Sequence, residues 1–229
     1  MNLQLLRTLQ QWRAQKRPCA MVTNLTSGAS VLMDENAAIG DLALSAEHLR
    51  TARARIAADQ SGTIDSELFI RVYAPPLRMI IVGAVHIASA LAPMAAMAGF
   101  DVTVVDPRET FARSGQMAGV SSMVAWPDEA MSDLKPDART AVVTLTHDPK
   151  LDDPALASAL RSSAFYVGAL GSRKTHAKRI ERLKAEGFSE ADLARIHGPV
   201  GLDINALTPA EIAVSIVAQV IDVLRAEAA

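Results

Sequence analysis

The sequence predicts an α/β protein in which a Rossmann-like, doubly wound parallel sheet is preceded by a small α+β amino-terminal domain. Three observations support this fold class. Strand and helix patterns alternate over the later part of the chain, as they do in a parallel sheet with helices on both faces. The stretch MIIVGAVHIASALA at residues 79–92 places a glycine turn between an apolar strand and a helix. Pro75 and Pro76 separate this part from a region of different pattern, which predicts domains at residues 1–75 and 77–229.

The amino-terminal domain is predicted to contain two helices and three strands. Residues 3–17 carry leucines and a tryptophan at helical spacing, and residues 45–58 begin at Ser45, a typical helix cap. The strands are CAMVTNL, ASVLMD and ELFIRVY. Cys19 lies in the first of these strands, where we expect a buried structural cysteine rather than a reactive thiol.

The Rossmann-like domain is predicted to contain strands at RMIIVG, DVTVVD, VSSMVAW, TAVVTLTHD and AFYVGAL. Helices are expected from the glycine turn to about residue 98, over residues 152–162, and in a basic segment that Gly187 ends. A short helix starts at Ser189. The last helix has Thr208 as its cap and Glu211 three positions later, which is a capping-box pattern.

Composition and charge exclude several classes of function. The chain has 229 residues, 50% of them hydrophobic, and a net charge of −2. This charge predicts no nucleic-acid partner and no anionic membrane surface. One cysteine cannot form an internal disulfide, which indicates a reducing, cytoplasmic compartment. The amino-terminus lacks the apolar segment of a signal peptide. Pro93 and the glycine turn interrupt the hydrophobic segment 79–98, so we expect a strand and a packed helix there rather than a membrane span.

The glycine turn contains half of a dinucleotide-binding fingerprint. Gly83 suits the tight turn and Ala88 suits close packing of helix on strand, but Val85 stands where a second glycine would let the backbone approach a pyrophosphate. Asp106 ends the second strand, which is the position of a ribose-binding acid. It could equally be a strand-end acid that caps the next loop. NAD(P) binding is therefore not expected.

Polar side chains follow two strands that should be neighbours. In the strand order 3-2-1-4-5-6, the first and fourth strands meet at the switch point where ligands bind. His86 follows the first strand, and His147 and Asp148 follow the fourth. We expect these residues to lie at one crevice, where they could bind a metal, transfer a proton or hydrogen-bond a polar ligand. Capping or packing roles are the alternative.

A second candidate site is GALGSRK at residues 168–174, where glycines end a strand and open a helix. Free backbone amides at such a helix start, with basic side chains nearby, suit an anion such as phosphate. The alternative is a plain turn followed by a solvated basic helix. The glycine-containing loop IHGPVGLDI at 196–204 would cover the crevice only if it folds back over it.

Several segments, in this order, resemble the XdhC/CoxI family of xanthine dehydrogenase accessory factors. They are MIIVGAVHIASAL, VTVVDPRETFA, VVTLTHDPKLD, YVGALGSRKTHAKRIERL and GFSEADLARIHGPVGLDINALTPAEIAVSI, together spanning about residues 77–225. The resemblance implies a non-enzymatic chaperone for a molybdenum hydroxylase. Such a protein would bind molybdenum cofactor (molybdopterin), protect it while a terminal sulfur is installed, and assist its insertion.

The resemblance also implies partners and site residues. The implied partners are the subunit of a molybdenum hydroxylase that receives the cofactor and a cysteine desulfurase, and a homo-oligomer is expected. Combined with the crevice argument, it gives these expected cofactor-binding residues: Gly83, His86, Asp106, Arg108, His147, Asp148, Gly171, Ser172, Arg173 and Lys174. Catalytic residues are not predicted.

Two departures from the family pattern stand out. The family has a glycine where this chain has Val85, so strain in the turn or a blocked ligand is expected there. Many members carry a Gly-Gly-Cys motif where this chain has AAIGDLALSAEHL, which contains no cysteine. Thiol ligation or sulfur relay through that motif is therefore not expected. The alternatives to the chaperone are an NAD(P)-dependent oxidoreductase and an assembly scaffold whose nucleotide crevice is vestigial.

Overall fold

The computed structural model describes residues 3–108 and 119–226. They form two compact units, one ending at Pro75 and the other running from Pro76 to Ala226. Part of the VVDPRETFA segment, residues 109–112, lies outside the described residues.

The described part of the amino-terminal unit is an antiparallel sheet flanked by two helices. The strand order is β3-β2-β1-β5-β4. In chain order the elements are α1 (Leu3–Ala14), β1 (Cys19–Asn24), β2 (Ser30–Met33), β3 (Ala38–Gly40), α2 (Ala46–Ala57), β4 (Gly62–Thr63) and β5 (Leu68–Tyr73).

Alternation along β1 sends side chains to both faces of this sheet. Cys19 and Met21 pack with the buried face of α1, whereas Val22 packs in the cluster that includes Ile56 of α2. Cys19 has no exposed surface, which confirms the predicted buried cysteine. Helix α1 ends three residues before the predicted end because Lys16 has a positive φ of 55°, which a helix cannot contain.

The described part of the second unit is a six-stranded parallel sheet with helices on both faces. Its order, β11-β10-β9-β6-β7-β8, is the predicted 3-2-1-4-5-6 arrangement. In chain order the elements are β6 (Leu77–Val82), α3 (His86–Met97), β7 (Phe100–Val105), β8 (Val120–Met123), α4 (Pro127–Leu134), β9 (Thr140–Thr144), α5 (Pro149–Arg161), β10 (Tyr166–Ala169), α6 (Arg173–Ala185), α7 (Glu190–Leu193), β11 (Ile196–His197) and α8 (Pro209–Ala226).

Two hydrophobic clusters fix the helices to opposite faces of the sheet. On one face, Ile81 and its neighbours pack against Leu91 of α3 and Ile216 of α8. On the other face, Val82 and its neighbours pack against Leu156 of α5, together with residues of α4, α6 and α7. The predicted doubly wound fold is therefore confirmed.

The bounds of some helices and strands differ from those predicted. Helix α5 begins at Pro149 rather than at residue 152, because the Asp148 side chain caps it by accepting a hydrogen bond from Lys150 N. Strand β9 ends at Thr144 instead of continuing to residue 148. The short elements β3, β4, β11 and α4 were not predicted. The capping box at Thr208 and Glu211 is confirmed by reciprocal bonds of 3.2 and 2.9 Å.

No helix within residues 3–108 and 119–226 has both the length and the apolar composition required to span a membrane.

Candidate functional site

The candidate site lies at the carboxyl edge of the parallel sheet, where β6 is paired with β7 on one side and β9 on the other. This is the switch point, because the chain winds outward from β6 in both directions. The loops that follow β6, β7, β9 and β10 all leave the sheet at this edge. These loops, together with the first turns of α3 and α6, carry each of the ten residues expected from the sequence to bind cofactor.

Gly83 makes the tight turn after β6. Its φ is +105°, and a Cβ atom there would lie 2.4 Å from Cγ2 of Thr146. A side chain at this position would therefore be strained and would also collide with the β9–α5 loop. The turn and that loop are in direct contact, as expected for neighbouring strands at a switch point.

Val85 fits this turn without backbone strain, so the expected strain is absent. Its φ and ψ are −93° and 175°, an extended conformation that any residue adopts. It precedes α3 without a side-chain capping bond, and its half-buried side chain packs with the cluster around Leu91. Val85 acts here as a packing residue at the start of α3.

Asp106 shows the bonds of a strand-end cap. Its side chain is buried and accepts hydrogen bonds from Ala84 N at 2.8 Å and Arg108 N at 3.0 Å. The guanidinium of Arg108 also donates to both carboxylate oxygens, each at 2.8 Å. Burial alone would raise the pKa of Asp106, but these bonds together hold it below its ordinary value.

Arg108 links this capped turn to the neighbouring loop. Its hydrogen bond to Asp106 is the main reason that its pKa is raised, and the charge of Asp148 contributes in the same direction. Its side chain is about half exposed at 47%. The positive charge of Arg108 therefore lies at the protein surface, at the carboxyl edge of the sheet, although its partner Asp106 is buried.

His86 and His147 lie at this edge, each after the strand predicted for it. His86 is the first residue of α3 and is exposed. His147 is also exposed, and its φ of 64° is unusual for a residue with a side chain. Among the described residues, no group of three or more histidine, cysteine or carboxylate side chains could hold a metal. Transfer of a proton and hydrogen bonding to a polar ligand stay predictions for these two histidines.

The segment Gly171–Lys174 lies beside His147. Gly171 has a φ of +138°, and Nδ1 of His147 is 3.7 Å from the position that a Cβ on Gly171 would take. Ser172 caps α6 by accepting a hydrogen bond from Thr175 N at 3.2 Å. Arg173 and Lys174 follow in the first turn and are exposed. The two loops thus present an imidazole, a helix start and two cations on one surface.

The loop after β11 lies against the end of β10. Val200 N donates to Ala169 O at 3.1 Å, and Gly201 N donates to the side chain of Gln219 at 2.8 Å. The ring of His197 stacks on Tyr166 with centroids 4.6 Å apart. The sequence left open whether this segment folds back, and these bonds place its first residues at the carboxyl edge.

Sequence reasoning missed two buried side chains beneath the site, Asp152 and Arg179. One of the two interpretations of the sequence placed Arg179 in a solvated basic helix, yet its side chain is only 2% exposed. A signal was available, since Arg179 lies four residues before the buried Leu183 and so shares its helix face. For Asp152 no local pattern distinguished burial from exposure.

The strand order, the glycine turn and the cationic loops define a Rossmann-fold protein with a candidate anion-binding crevice at the switch point. Residues 79–220 match the family model for the XdhC Rossmann domain, which is 142 of the 229 residues, and the chain belongs to this family.

Three curated proteins are similar to this chain over about two thirds of its length. The chain is 33% identical over 162 residues to the uncharacterized protein YqeB of Escherichia coli, and 31% identical over 151 residues to the molybdenum cofactor insertion chaperone PaoD of the same organism. It is 32% identical over 157 residues to a probable xanthine dehydrogenase subunit of Bacillus subtilis. These matches cover 68%, 66% and 68% of this chain but 29%, 41% and 46% of the relatives. The matched regions therefore amount to less than half the length of each relative.

A solved structure named as a xanthine dehydrogenase from Bacillus halodurans has the same fold. The TM-score is 0.72 at 24% identity, and the match covers 98% of this chain and 67% of that one.

Proposed function

We propose that this protein is an accessory protein for the maturation of a molybdenum hydroxylase of the xanthine dehydrogenase or CO dehydrogenase type. It binds molybdenum cofactor and assists sulfuration and insertion of the cofactor, as a chaperone rather than an enzyme. One observation carries the proposal: His147 and Gly171–Lys174 form one polar and cationic surface at the carboxyl edge, beside the switch point. Membership of the XdhC family and the similarity to a cofactor insertion chaperone support it.

The chemistry of these residues fits the cofactor. Molybdopterin is a phosphate ester of a flat, polar pterin. The start of α6 offers backbone amides and the cations of Arg173 and Lys174, which suit a phosphate. The space beside Gly171 is narrow, since a Cβ there would lie 3.1 Å from the side chain of Thr175. Glycine at this point, with its φ of +138°, therefore lets the loop pack closely against the start of α6.

The remaining polar groups at the edge suit the pterin end. His86 and His147 are exposed and can donate or accept hydrogen bonds. The bound cofactor supplies redox chemistry to the hydroxylase that receives it. The residues of this chain would bind and orient the cofactor.

The arrangement around Asp106 disfavours the alternative of an NAD(P)-dependent oxidoreductase. A ribose-binding acid must offer a free carboxylate oxygen to the sugar. Both oxygens of Asp106 already accept bonds from Ala84 and Arg108, and the side chain is buried. A scaffold with a vestigial crevice is the other alternative, and it predicts binding of a partner without a small ligand.

The proposal is tested by anaerobic calorimetric titration of the protein with molybdenum cofactor, with NAD and NADP as controls. We expect cofactor binding in the wild type, and weakening of about tenfold in the double variant R173Q/K174Q, which removes two charge-assisted contacts. The matched control K178Q removes an exposed cation further along the same helix and should leave the affinity unchanged. Binding of NAD instead would support the oxidoreductase, and no binding to a folded protein would support the scaffold.

The proposed partners follow from the same function. They are the molybdenum hydroxylase subunit that receives the cofactor and a cysteine desulfurase that supplies sulfur, in the cytoplasm, with the accessory protein as a homo-oligomer. Similarity to a protein named as a probable xanthine dehydrogenase subunit supports the first of these. Co-purification with the hydroxylase tests it.

A further inference from the structure

Two arginine–aspartate pairs join the same two helices, α5 and α6, but they differ in what else they contact. Arg182 and Asp153 form a bidentate ion pair with hydrogen bonds of 2.5 and 2.9 Å, and the arginine side chain is 38% exposed. Arg179 lies three residues before Arg182 and Asp152 lies directly before Asp153, each nearer the start of its helix, and their side chains are 2% and 1% exposed. The second pair is therefore the one that lies inside the molecule.

Each member of the buried pair holds one of the two loops that form the candidate site. Asp152 accepts hydrogen bonds from Thr146 Oγ1 at 2.7 Å and Thr146 N at 3.3 Å, and also from the backbone of His147. Arg179 donates from Nη2 to Leu170 O at 2.9 Å, directly before Gly171. The β9–α5 loop and the β10–α6 loop are thus connected through one buried ion pair.

The geometry of this pair is poor for stability alone. The Arg179 Nη2 and Asp152 oxygen are 3.4 Å apart, and Nε and Nη1 of Arg179 have no hydrogen-bond partner among the described residues. Burial raises the pKa of Asp152 and outweighs the lowering by Thr146 and Arg179. Replacing a buried ion pair of this kind with apolar residues is often neutral or stabilising, so its presence requires another reason.

We propose that Arg179, together with Asp152, is a positioning residue that fixes the spacing of His147 relative to Gly171–Lys174. Arg179 holds the β10–α6 loop through the Leu170 carbonyl, and Asp152 holds the β9–α5 loop through Thr146. A ligand that touches both loops then meets a preformed surface, and no binding energy is spent on ordering the loops. The consequence for affinity rests on the proposed function, whereas the positioning itself does not require a ligand.

Hydrogen–deuterium exchange of the ligand-free protein tests the positioning. In R179M we expect amides of residues 145–148 and 170–172 to exchange about tenfold faster than in the wild type, as local opening becomes easier. R182M breaks the neighbouring pair between the same helices and contacts neither loop, so exchange in these segments should be unchanged. Equal acceleration in both variants, or none in R179M, would overturn the proposal.

Anaerobic titration with molybdenum cofactor tests the consequence for affinity. We expect R179M to bind about tenfold more weakly, which is the scale of losses seen for residues that support a ligand-contacting shell. R182M should match the wild type, and R179K, which keeps the charge but not the planar fork, should lie between them. If R179M binds as tightly as the wild type, the claim about affinity is wrong.

The two failures can be told apart. If the wild type does not bind the cofactor, the proposed function fails, and the exchange experiment still decides whether Arg179 positions the loops. If R179M does not fold because Asp152 is left as an unpaired buried charge, D152N/R179M removes both charges and is measured in its place. Slow exchange at residues 170–172 in that double variant would overturn the positioning role.

Discussion

The two sides of the carboxyl edge use the same kinds of residue in opposite ways. On the β6–β7 side, the carboxylate of Asp106 accepts hydrogen bonds from Ala84 and Arg108 of the same protein. On the β9–β10 side, the buried pair of Asp152 and Arg179 lies beneath the loops, while His147 remains exposed. On the β6–β7 side the buried polar groups stabilise the fold, whereas on the β9–β10 side they hold the loops that carry the exposed candidate site. The half with the dinucleotide-type turn is therefore not the half best suited to a ligand.

The largest expected effect comes from Gly83, where the two sides touch. In G83A, the new Cβ would lie 2.4 Å from Thr146 at a φ of +105°. We expect a loss of about 3 kcal/mol in the free energy of unfolding, from backbone strain and overpacking together. Urea unfolding followed by circular dichroism measures it.

Gly99 provides the control for this prediction. It has a φ of +93°, but nothing lies within 4 Å of its absent Cβ. G99A should therefore lose only about 1 kcal/mol, the cost of the backbone conformation. If G83A and G99A lost the same free energy of unfolding, the close approach of Gly83 to Thr146 would not contribute to the effect of G83A.

A smaller effect is expected from Asp106, and it depends on pH. The pKa of Asp106 is lowered from 3.8, so its ionised form stabilises the folded protein above about pH 4. That contribution is lost as the pH falls through the lowered folded-state pKa. We expect D106N to be less stable by about 1 to 2 kcal/mol at pH 7, because its hydrogen bonds no longer involve a charge.

The pH dependence of stability distinguishes stabilisation by the ionised Asp106 carboxylate from a packing role of its side chain. The difference in free energy of unfolding between wild type and D106N should shrink as the pH is lowered from about 4 to 2. D101N changes an exposed aspartate on the same strand, β7, and should alter the stability by less than about 0.5 kcal/mol at pH 7. A difference for D106N that stays constant down to pH 2 would contradict the assignment.

The fold could be predicted from sequence because its signals are long and periodic. Buried runs such as TAVVTL identify central parallel strands, and alternation with helices predicts a parallel, doubly wound sheet, for which 3-2-1-4-5-6 is a typical strand order. The two-residue strand β11 and the three-residue strand β3 were missed because so few residues show no period. The Thr208 capping box was predicted because it depends on residues close in sequence, and burial of Cys19 was predicted because it lies in an apolar strand.

The candidate site could be predicted only in part, because its chemistry depends on contacts between distant residues. The convergence of His86, Asp106 and His147 at one edge follows from strand order alone. The pairing of Asp152 with Arg179 joins residues 27 apart and has no sequence motif. Strain at Val85 was expected from a glycine pattern, yet the chain is extended there. Whether a glycine is required depends on φ, which a sequence does not display.

The smallest effect on stability is expected at His147. A substitution there distinguishes a role in folding from a role in ligand binding. His147 is exposed with a φ of 64°, a conformation that costs a residue with a side chain but not glycine. In H147G, relief of this cost and the greater freedom of the unfolded chain should nearly cancel, within about 0.5 kcal/mol. Thermal or urea unfolding would then show no change. Cofactor affinity should nevertheless fall severalfold, since an imidazole contact is lost.

Lys135 is the matched control for His147. It is exposed, has a φ of 46°, and lies before the first residue of β9, at the opposite end of the strand from the site. K135G should change the stability as little as H147G does, and it should leave cofactor affinity unchanged. If H147G lost stability while K135G did not, His147 would have a role in folding and the comparison between the two sides would fail. If neither variant changed affinity, His147 would lie outside the ligand surface, and an unusual backbone conformation without a structural benefit would need another explanation.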